Sequence, residues 1–430
     1  MGMDMPNSPQ RALSVLVLDG QYCHALAAIR SLGRRGVRVS VASNKSHPMG
    51  FASRFCARTL ASPAPNLEPE RYVDWLLETL RRQRYDATLF FGESTADLIS
   101  RHRDSVQKHT GCPLPTRELF LTADRKDRVT RLARQLGVPT PETHELESFE
   151  ALETVVPTLR FPAVVKGVYS SGSQQVAVVR DVGELRRALR RISALREDAS
   201  LPLPVVQEFV PGRGYGLTAL VRRGEPIAVF MHRRIAEHDV ARGVAFAHGA
   251  TGAESVYEPE LLDAGLTLLK ALCWDGMAMV EFKRDSRDGR FCLMEINPRF
   301  VGTLDLAIAA GVDFPWLYAQ HAAGRPVAGP NRYRVGLKYR WLLSKNVADA
   351  FEHPCRYALG ALSILRPDTR SDLCWRDPGP HWAHLRDAMW WTREHWRGAH
   401  RAPASAEPAP AGPAPEPPTA AVEELLSGSR

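Results

Sequence analysis

Apolar residues fill most of Met277–Phe282 and Phe291–Ile296, with polar residues at every second position only toward the end of each stretch, and a polar break lies at Ser286–Gly289. The pattern MAMVEFK followed by RFCLMEIN predicts two strands joined by a short polar turn, in which Asp288-Gly289 supplies the turn chemistry. Side chains alternate between the faces of a strand, so Glu281 and Lys283 share one face and Val280 and Phe282 the other. On the return strand Glu295 and Asn297 share a face, and Cys292, Met294 and Ile296 share the opposite one. A hairpin folded about Asp288 sets Glu281 opposite Glu295. Two carboxylates that close repel unless a cation lies between them or one is protonated. Oxygen donors suit a hard cation, and Mg²⁺ takes one or two carboxylates and fills its octahedron with phosphate oxygens and water. The hairpin therefore reads as a metal–nucleotide platform. The alternative is a half-exposed hairpin with a solvated polar face.

Upstream, the short apolar run at residues 14–19, the helical pattern ALAAIRSLGRRG and a second run, VRVSVA, form the strand–helix–strand signature of a parallel sheet. A helix at Tyr72–Leu80, a strand at Ala87–Phe91 and a helix after Glu93 continue the alternation, giving an open α/β domain over residues 11–120. Its first turn lacks a G-x-G-x-x-G fingerprint, which argues against a dinucleotide site. Val129, Leu132, Ala133 and Leu136 then recur at helical spacing. Thr122 or Asp124 is available as a cap, and Gly137 and Pro139 end the helix. Lys126 falls in its first turn, where a cation opposes the helix dipole unless an anion docks there. The alternative is a solvated surface lysine.

From Phe149 the pattern becomes a small α+β unit. A strand ends in Lys166, a small-residue loop contains Ser170, Ser171, Gly172 and Ser173, a second strand follows, and a helix buries Leu185, Ala188, Leu189 and Ile192. Such a loop exposes backbone N–H groups that can close over phosphates, although no Walker A loop is present. The strand PVVQEFVPG runs into Glu208, Phe209 and Val210, whose extended backbone offers the donor and acceptor that an adenine edge needs. Of Arg233 and Arg234, adjacent on a later strand, at most one points inward. Residues 236–252 read as an irregular Gly-rich loop, and two helices follow the hairpin, broken at Gly311–Phe314. Residues 331–400 hold many Trp and Arg and form an extension of no recognisable fold. Residues 401–430 are Pro/Ala-rich and compositionally disordered.

The bulk properties narrow the function classes. A formal charge of +8 comes from scattered arginines, and no aromatic-studded basic motif marks a nucleic-acid partner. Seven cysteines with no C-x-x-C argue against a disulfide framework or zinc knuckle and fit a reducing cytoplasm. No secretory signal pattern and no apolar run of membrane-spanning length is present, so a soluble protein without a membrane partner is expected. His381, His384, His395 and His400 match no ligand spacing and read as surface histidines.

Taken in order, the βαβ domain, the helix lysine Lys126, the strand lysine Lys166 before a small-residue loop, the Q-E-F-V stretch and the E-F-K … M-E-I-N-P-R hairpin resemble the ATP-grasp superfamily. The likeness is to carboxylate–amine ligase-like members related to carbamoyl phosphate synthase. It spans roughly residues 14–325, and MEINPR is its most specific piece. The resemblance implies an α/β and α+β ATP-grasp fold with an N-terminal Rossmann-like, pre-ATP-grasp parallel-sheet domain. The ATP-grasp domain would cover residues 121–330, with a small flap subdomain at about 149–208. It also implies that Lys126 and Lys166 contact ATP phosphates, that Ser170–Ser173 form the flap, and that Glu208, Phe209 and Val210 line the adenine. Glu281, Glu295 and Asn297 would hold Mg²⁺, or Mn²⁺ in its place, with Lys283 near the phosphates. Arg234 and Arg299 would face the γ-phosphate, the acyl phosphate or the substrate carboxylate. An acidic residue commonly follows the hinge to take the ribose, but this chain has Arg213, Gly214 and Tyr215, which leaves the ribose contact unassigned.

The implied chemistry activates a small-molecule carboxylate as an acyl phosphate and joins it to an amine, releasing ADP and phosphate. A thiol or carbamate nucleophile is an alternative, as is a non-catalytic ATP-binding regulatory protein. A homodimer is compatible with this reading.

Overall fold

The computed structural model describes residues 11–169, 175–196, 201–236, 252–344 and 354–386. The expected flap residues Ser170, Ser171, Gly172 and Ser173, most of the 236–252 loop, His395, His400 and the 401–430 tail lie outside them.

Strand β1 (Ser14–Val17) is buried at every position, as suits a central strand covered on both faces. It runs parallel to β2 (Arg38–Ser43) and β4 (Ala87–Leu89), with β3 (Cys56–Ala61) on the far edge, in the order β3-β2-β1-β4. Helix α1 (Cys23–Arg34) connects β1 to β2 and α2 (Pro69–Arg82) connects β3 to β4; α3 (Glu93–Arg101) and α4 (Arg103–Gln107) follow β4. The sequence reading did not mark β3, because an edge strand with most of its side chains in solvent shows no alternation of burial.

Two short helices come next, α5 (Arg117–Asp124) and α6 (Lys126–Gln135). Here the capping expectation is corrected. Thr122 and Asp124 belong to α5, the residue preceding α6 is Arg125, and no side chain caps that end. Lys126 is the first residue of α6, and its backbone N–H donates to Val168 O at 3.3 Å.

The small unit is an antiparallel sheet of order β5-β8-β6-β7, built from β5 (Thr143–His144), β6 (Ala163–Lys166), β7 (Val176–Val179) and β8 (Val205–Glu208). A short helix α7 (Leu152–Val155) and the longer α8 (Val182–Ala194) accompany it. Asp181 accepts from the Glu184 N–H at 2.7 Å, and the Glu184 carboxylate accepts from the Arg180 N–H at 2.8 Å, so the first turn of α8 is well capped. The helix buries Leu185, Ala188, Leu189 and Ile192, the residues its spacing predicts.

The largest sheet has seven strands in the order β13-β12-β9-β10-β11-β14-β15. They are β9 (Gly212–Arg222), β10 (Glu225–Ala236), β11 (Gly252–Val256), β12 (Gly276–Asp285), β13 (Phe291–Asn297), β14 (Lys338–Arg340) and β15 (Thr369–Ser371). One face puts Leu217, Ala219, Val280 and Phe282 into a core with Leu261, Leu268 and Leu269 of α9 (Pro259–Ala271). The other face puts Leu220, Phe230 and Met277 into a second core with Val15 and Val17 of the parallel sheet and with α10 (Leu304–Ala310) and α11 (Phe314–Ala322).

The region beyond residue 331 thus contributes β14 and β15 to this sheet, together with a helix α12 (Pro354–Leu362). It is also pinned to the parallel-sheet unit. Buried Asp377 accepts from Arg30 Nε, Ser53 Oγ and the Arg54 N–H, each at 2.8 Å. His381 is half-buried rather than at the surface, and its Nε2 accepts from the Cys374 N–H at 2.9 Å.

Candidate active site

The hairpin of β12 and β13 pairs Glu281 with Glu295, as its sequence predicts, and turns at Gly289 with φ +79°. Its register then slips: Phe282 pairs with Leu293 and Lys283 with Cys292, which leaves Met294 as the extra residue of a β-bulge. The expectation that Cys292, Met294 and Ile296 share a face is therefore wrong. Cys292 sits opposite Lys283 on the carboxylate side, while Phe291, Leu293 and Ile296 enter the core. Bulges are common next to functional sites because they re-aim side chains.

On the carboxylate face, Glu281 receives Arg234 Nη2 at 2.6 Å, and Glu295 receives Lys126 Nζ at 3.1 Å. Asn297 Nδ2 donates to Glu295 Oε1 at 3.2 Å, and Arg299 Nη2 donates to Asn297 Oδ1 at 3.2 Å. Arg233 turns the other way onto Glu254 at 2.8 Å, in accord with the alternation of β10. Among the described residues no cluster of three or more His, Cys, Asp or Glu is arranged around a metal position. The platform offers two carboxylates and one amide, an all-oxygen set that fits a hard cation and leaves positions for phosphate oxygens and water.

Burial by itself would raise the Glu295 carboxyl, but the Lys126 and Lys166 charges and the Asn297 amide bring it down to about 2. Burial and the neighbouring Lys126 charge push the Lys166 ammonium down to about 8, against the pull of Glu295 and Glu281. Lys166 thus carries a substantial neutral fraction near that pH, and an anionic ligand would restore its charge. Lys166 is expected to be acylated faster than the exposed lysines at pH 8, and MgATP should protect it. Peptide mapping by mass spectrometry after brief acetylation reads this directly; labelling that MgATP leaves unchanged would remove Lys166 from the phosphate site.

The residues expected around adenine lie where the small sheet passes into β9. The Glu208 carboxylate accepts from Arg287 Nη1 at 2.6 Å, and the Glu208 N–H donates to Glu142 O at 2.9 Å. Lys283 Nζ lies 5.1 Å from the centre of the Phe209 ring and donates to Val210 O at 2.9 Å. Lys283 therefore bridges the platform and the Phe209–Val210 stretch. Arg213 is exposed, Gly214 lies opposite Lys283, and Tyr215 packs edge-on against Phe291 in the core.

Sequence reasoning missed the contribution of the parallel-sheet unit. Glu93, the first residue of α3, accepts from Arg299 Nη2 at 2.6 Å. Asp19 follows β1 with φ 59° and accepts from the Phe91 N–H, the Gly92 N–H and Thr95 Oγ1. Burial raises the Asp19 carboxyl despite those donors. Phe91 stacks on Phe300 at 5.0 Å, so the segment after MEINPR rests on the end of β4. The carboxyl ends of parallel strands are where α/β sheets bind ligands, and that rule was the signal available for Asp19 and Glu93. His232 was missed as well. It is buried in the row Glu281–Gly216–His232, and a Cβ at Gly216 would overlap its ring.

Residues 202–344 match the family described as ATP-grasp in the biosynthetic pathway with Ter operon. The large chain of carbamoyl phosphate synthase from Thermus thermophilus is 28% identical over 209 residues, covering 47% of this chain and 20% of that protein. A D-alanine–D-alanine ligase from Chromohalobacter salexigens is 28% identical over 181 residues, 40% of this chain and 54% of that one. Among solved structures, an L-amino acid ligase from Bacillus licheniformis superposes with a TM-score of 0.58 at 18% identity, covering 73% of this chain and 75% of its own. The chain spans about a fifth of the length of the carbamoyl phosphate synthase and about half that of the D-alanine–D-alanine ligase. Residues 202–344 thus match an ATP-grasp family model, and the fold around them is an ATP-grasp fold with an N-terminal parallel sheet.

Proposed function

We propose that this chain is an ATP-dependent ligase that converts a small-molecule carboxylate into an acyl phosphate and joins it to an amine, forming ADP and phosphate. The observation that carries the reading is the facing pair Glu281 and Glu295, with Lys126, Arg234 and Asn297 bonded to it and Lys166 beside it. A carboxylate is a poor electrophile, so its activation requires phosphoryl transfer, which depends on positioning and on neutralising phosphoryl oxygens. Lys126 and Lys166 would hold the phosphates. Glu208–Val210 would line the adenine, with Lys283 fixing the Val210 carbonyl. Ser170–Ser173 would close over the phosphates. Arg234 and Arg299 would take the transferring phosphoryl group and the substrate carboxylate.

Glu281, Glu295 and Asn297 would hold Mg²⁺, or Mn²⁺, which when bound supplies charge neutralisation on the phosphate oxygens. The reading places the chain in a reducing cytoplasm, supported by seven free cysteines; among the described residues no helix is long and apolar enough to cross a membrane. Small molecules are the proposed substrates, and a homodimer is the proposed assembly, which light scattering would check.

The test is ADP release from ATP and Mg²⁺ against pooled carboxylic acids and amino acids. Release that requires both an acid and an amine is the expected result. Tight ATP binding without release from any pool would replace this reading with a regulatory one.

A further inference from the structure

Two segments far apart in the chain are fastened to each other beside the platform. Phe91 stacks on Phe300 at 5.0 Å, and next to that stack Arg299 Nη2 donates to Glu93 Oε1 at 2.6 Å. The other acceptors of the guanidinium are neutral: Phe300 O takes Nη1 and Asn297 Oδ1 takes Nη2, both at 3.2 Å. Among the described residues Glu93 is thus the one carboxylate bonded to Arg299. From there the bonds run on without a break, since Asn297 Nδ2 donates to Glu295 at 3.2 Å and Glu295 pairs with Lys126 at 3.1 Å.

Glu93 is itself held in place. It opens α3, where a negative charge suits the positive end of the helix dipole. The turn beneath it is anchored by Asp19, which is only 5% exposed. Asp19 Oδ2 accepts from the Phe91 N–H at 2.9 Å and the Gly92 N–H at 2.8 Å, and Oδ1 accepts from Thr95 Oγ1 at 2.7 Å. Gly92 gives that carboxylate room, because a Cβ there would come within 3.2 Å of Asp19 Oδ1. Asp19 adopts a left-handed φ of 59°, and the next residue is tied to the end of β2 by the Gly20 N–H on Ala42 O at 2.9 Å. Such a backbone is uncommon for a residue with a side chain and persists where its surroundings over-determine it.

We propose that Glu93 is a positioning residue for the reaction: it sets the orientation of the Arg299 guanidinium beside Asn297 and Glu295, and Asp19 acts through Glu93 by fixing the turn that carries it. The proposal deepens the ligase reading and rests on it. A guanidinium stabilises a transferring phosphoryl group best when its N–H groups are already aimed. An unrestrained arginine samples many rotamers, and the bond to Glu93 removes that freedom before the substrate arrives. For this purpose Glu93 has only to accept a hydrogen bond, so the shape of its side chain matters more than its charge.

The experiment measures two products from the full chain with ATP, Mg²⁺ and the twenty common L-amino acids. One series couples acid to amine; in the other, hydroxylamine replaces the amine and traps the acyl phosphate as a hydroxamate. Glu93→Ala should slow both series alike by about 10–100-fold, the usual effect of removing an outer partner of a ligand set, and the loss should appear in kcat rather than in the KM for ATP. Glu93→Gln should recover most of the rate, because its amide oxygen still accepts from Arg299. Asp19→Asn should also lower kcat, and the double variant Asp19→Asn, Glu93→Ala should be no slower than Glu93→Ala, because both residues act through one guanidinium. The Tm of Glu93→Ala should stay near the wild-type value, since the Glu93 side chain is one-third exposed. Full kcat in Glu93→Ala, a Glu93→Gln variant as slow as the alanine one, or multiplied losses in the double variant would each overturn the proposal. A loss confined to the amine series would overturn it too, by placing Glu93 on the amine. If the wild-type protein yields neither hydroxamate nor ADP across the panel, the ligase reading itself falls and this proposal with it.

Discussion

Replacing Glu295 with Gln should cut ADP release by at least about 10²–10³-fold, the usual effect of removing one positioned electrostatic group from a reaction centre. Three things change together. The platform loses half of its carboxylate charge, the buried Lys126 ammonium loses its partner at 3.1 Å, and Lys166 loses one of the charges that hold its proton. Calorimetry should show much weaker MgADP binding in the variant, with the residual binding no longer dependent on Mg²⁺.

The substitution has a pH signature too. The folded Glu295 carboxyl lies at about 2, below the ordinary glutamate value of about 4.3. Its contribution to stability is present above the unfolded value and lost as pH falls through the folded one. The wild-type protein should therefore lose stability between about pH 4 and pH 2 more steeply than Glu295→Gln. Full turnover by Glu295→Gln at saturating Mg²⁺ would reject the platform.

Asp377→Ala should be the most damaging substitution outside the site. Asp377 satisfies the Arg30 guanidinium, the Ser53 hydroxyl and the Arg54 N–H at once, and both Arg30 and Asp377 are buried. Removing one partner of a buried pair strands the other charge and costs about 3–5 kcal/mol. A fall in Tm of about 3–6 °C follows for a protein of this size. The double variant Arg30→Met, Asp377→Leu removes both charges and should regain much of the loss, because an apolar pair often replaces a buried ion pair at little cost. A Tm unaffected by Asp377→Ala would show that the segment after β15 does not depend on this contact.

The platform was legible because alternation and turn chemistry are local. Glu281, Glu295, Val280 and Phe282 took the faces their spacing dictates. The helix α8 was legible for the same reason, through its cap and its apolar spacing. Bulge formation was not, since Met294 is as apolar as its neighbours and its displacement depends on pairing with β12. Nor were the contacts made across the fold: Arg299 finds Glu93 more than two hundred positions away, and Arg30 finds Asp377 across more than three hundred. No periodicity reports such pairs, because they arise only when separate sheets are brought together. The Asp124 capping expectation failed because the sequence does not reveal that a second helix, α5, ends there.

The extra residue at Met294 makes β13 a strand of two phases. Before it, Phe291 and Leu293 are timed to the core; after it, Glu295 and Asn297 are timed to Glu281 and Met279. Each half keeps its own partner, so changes of length at the 286–290 turn need not reach the carboxylates, whose setting is established beyond the slip. Deleting Met294 would merge the phases and force one half to give up its face, the apolar residues or the acidic ones. The bulge thus acts as a buffer between a turn free to vary and a pair of oxygens that has to stay in place.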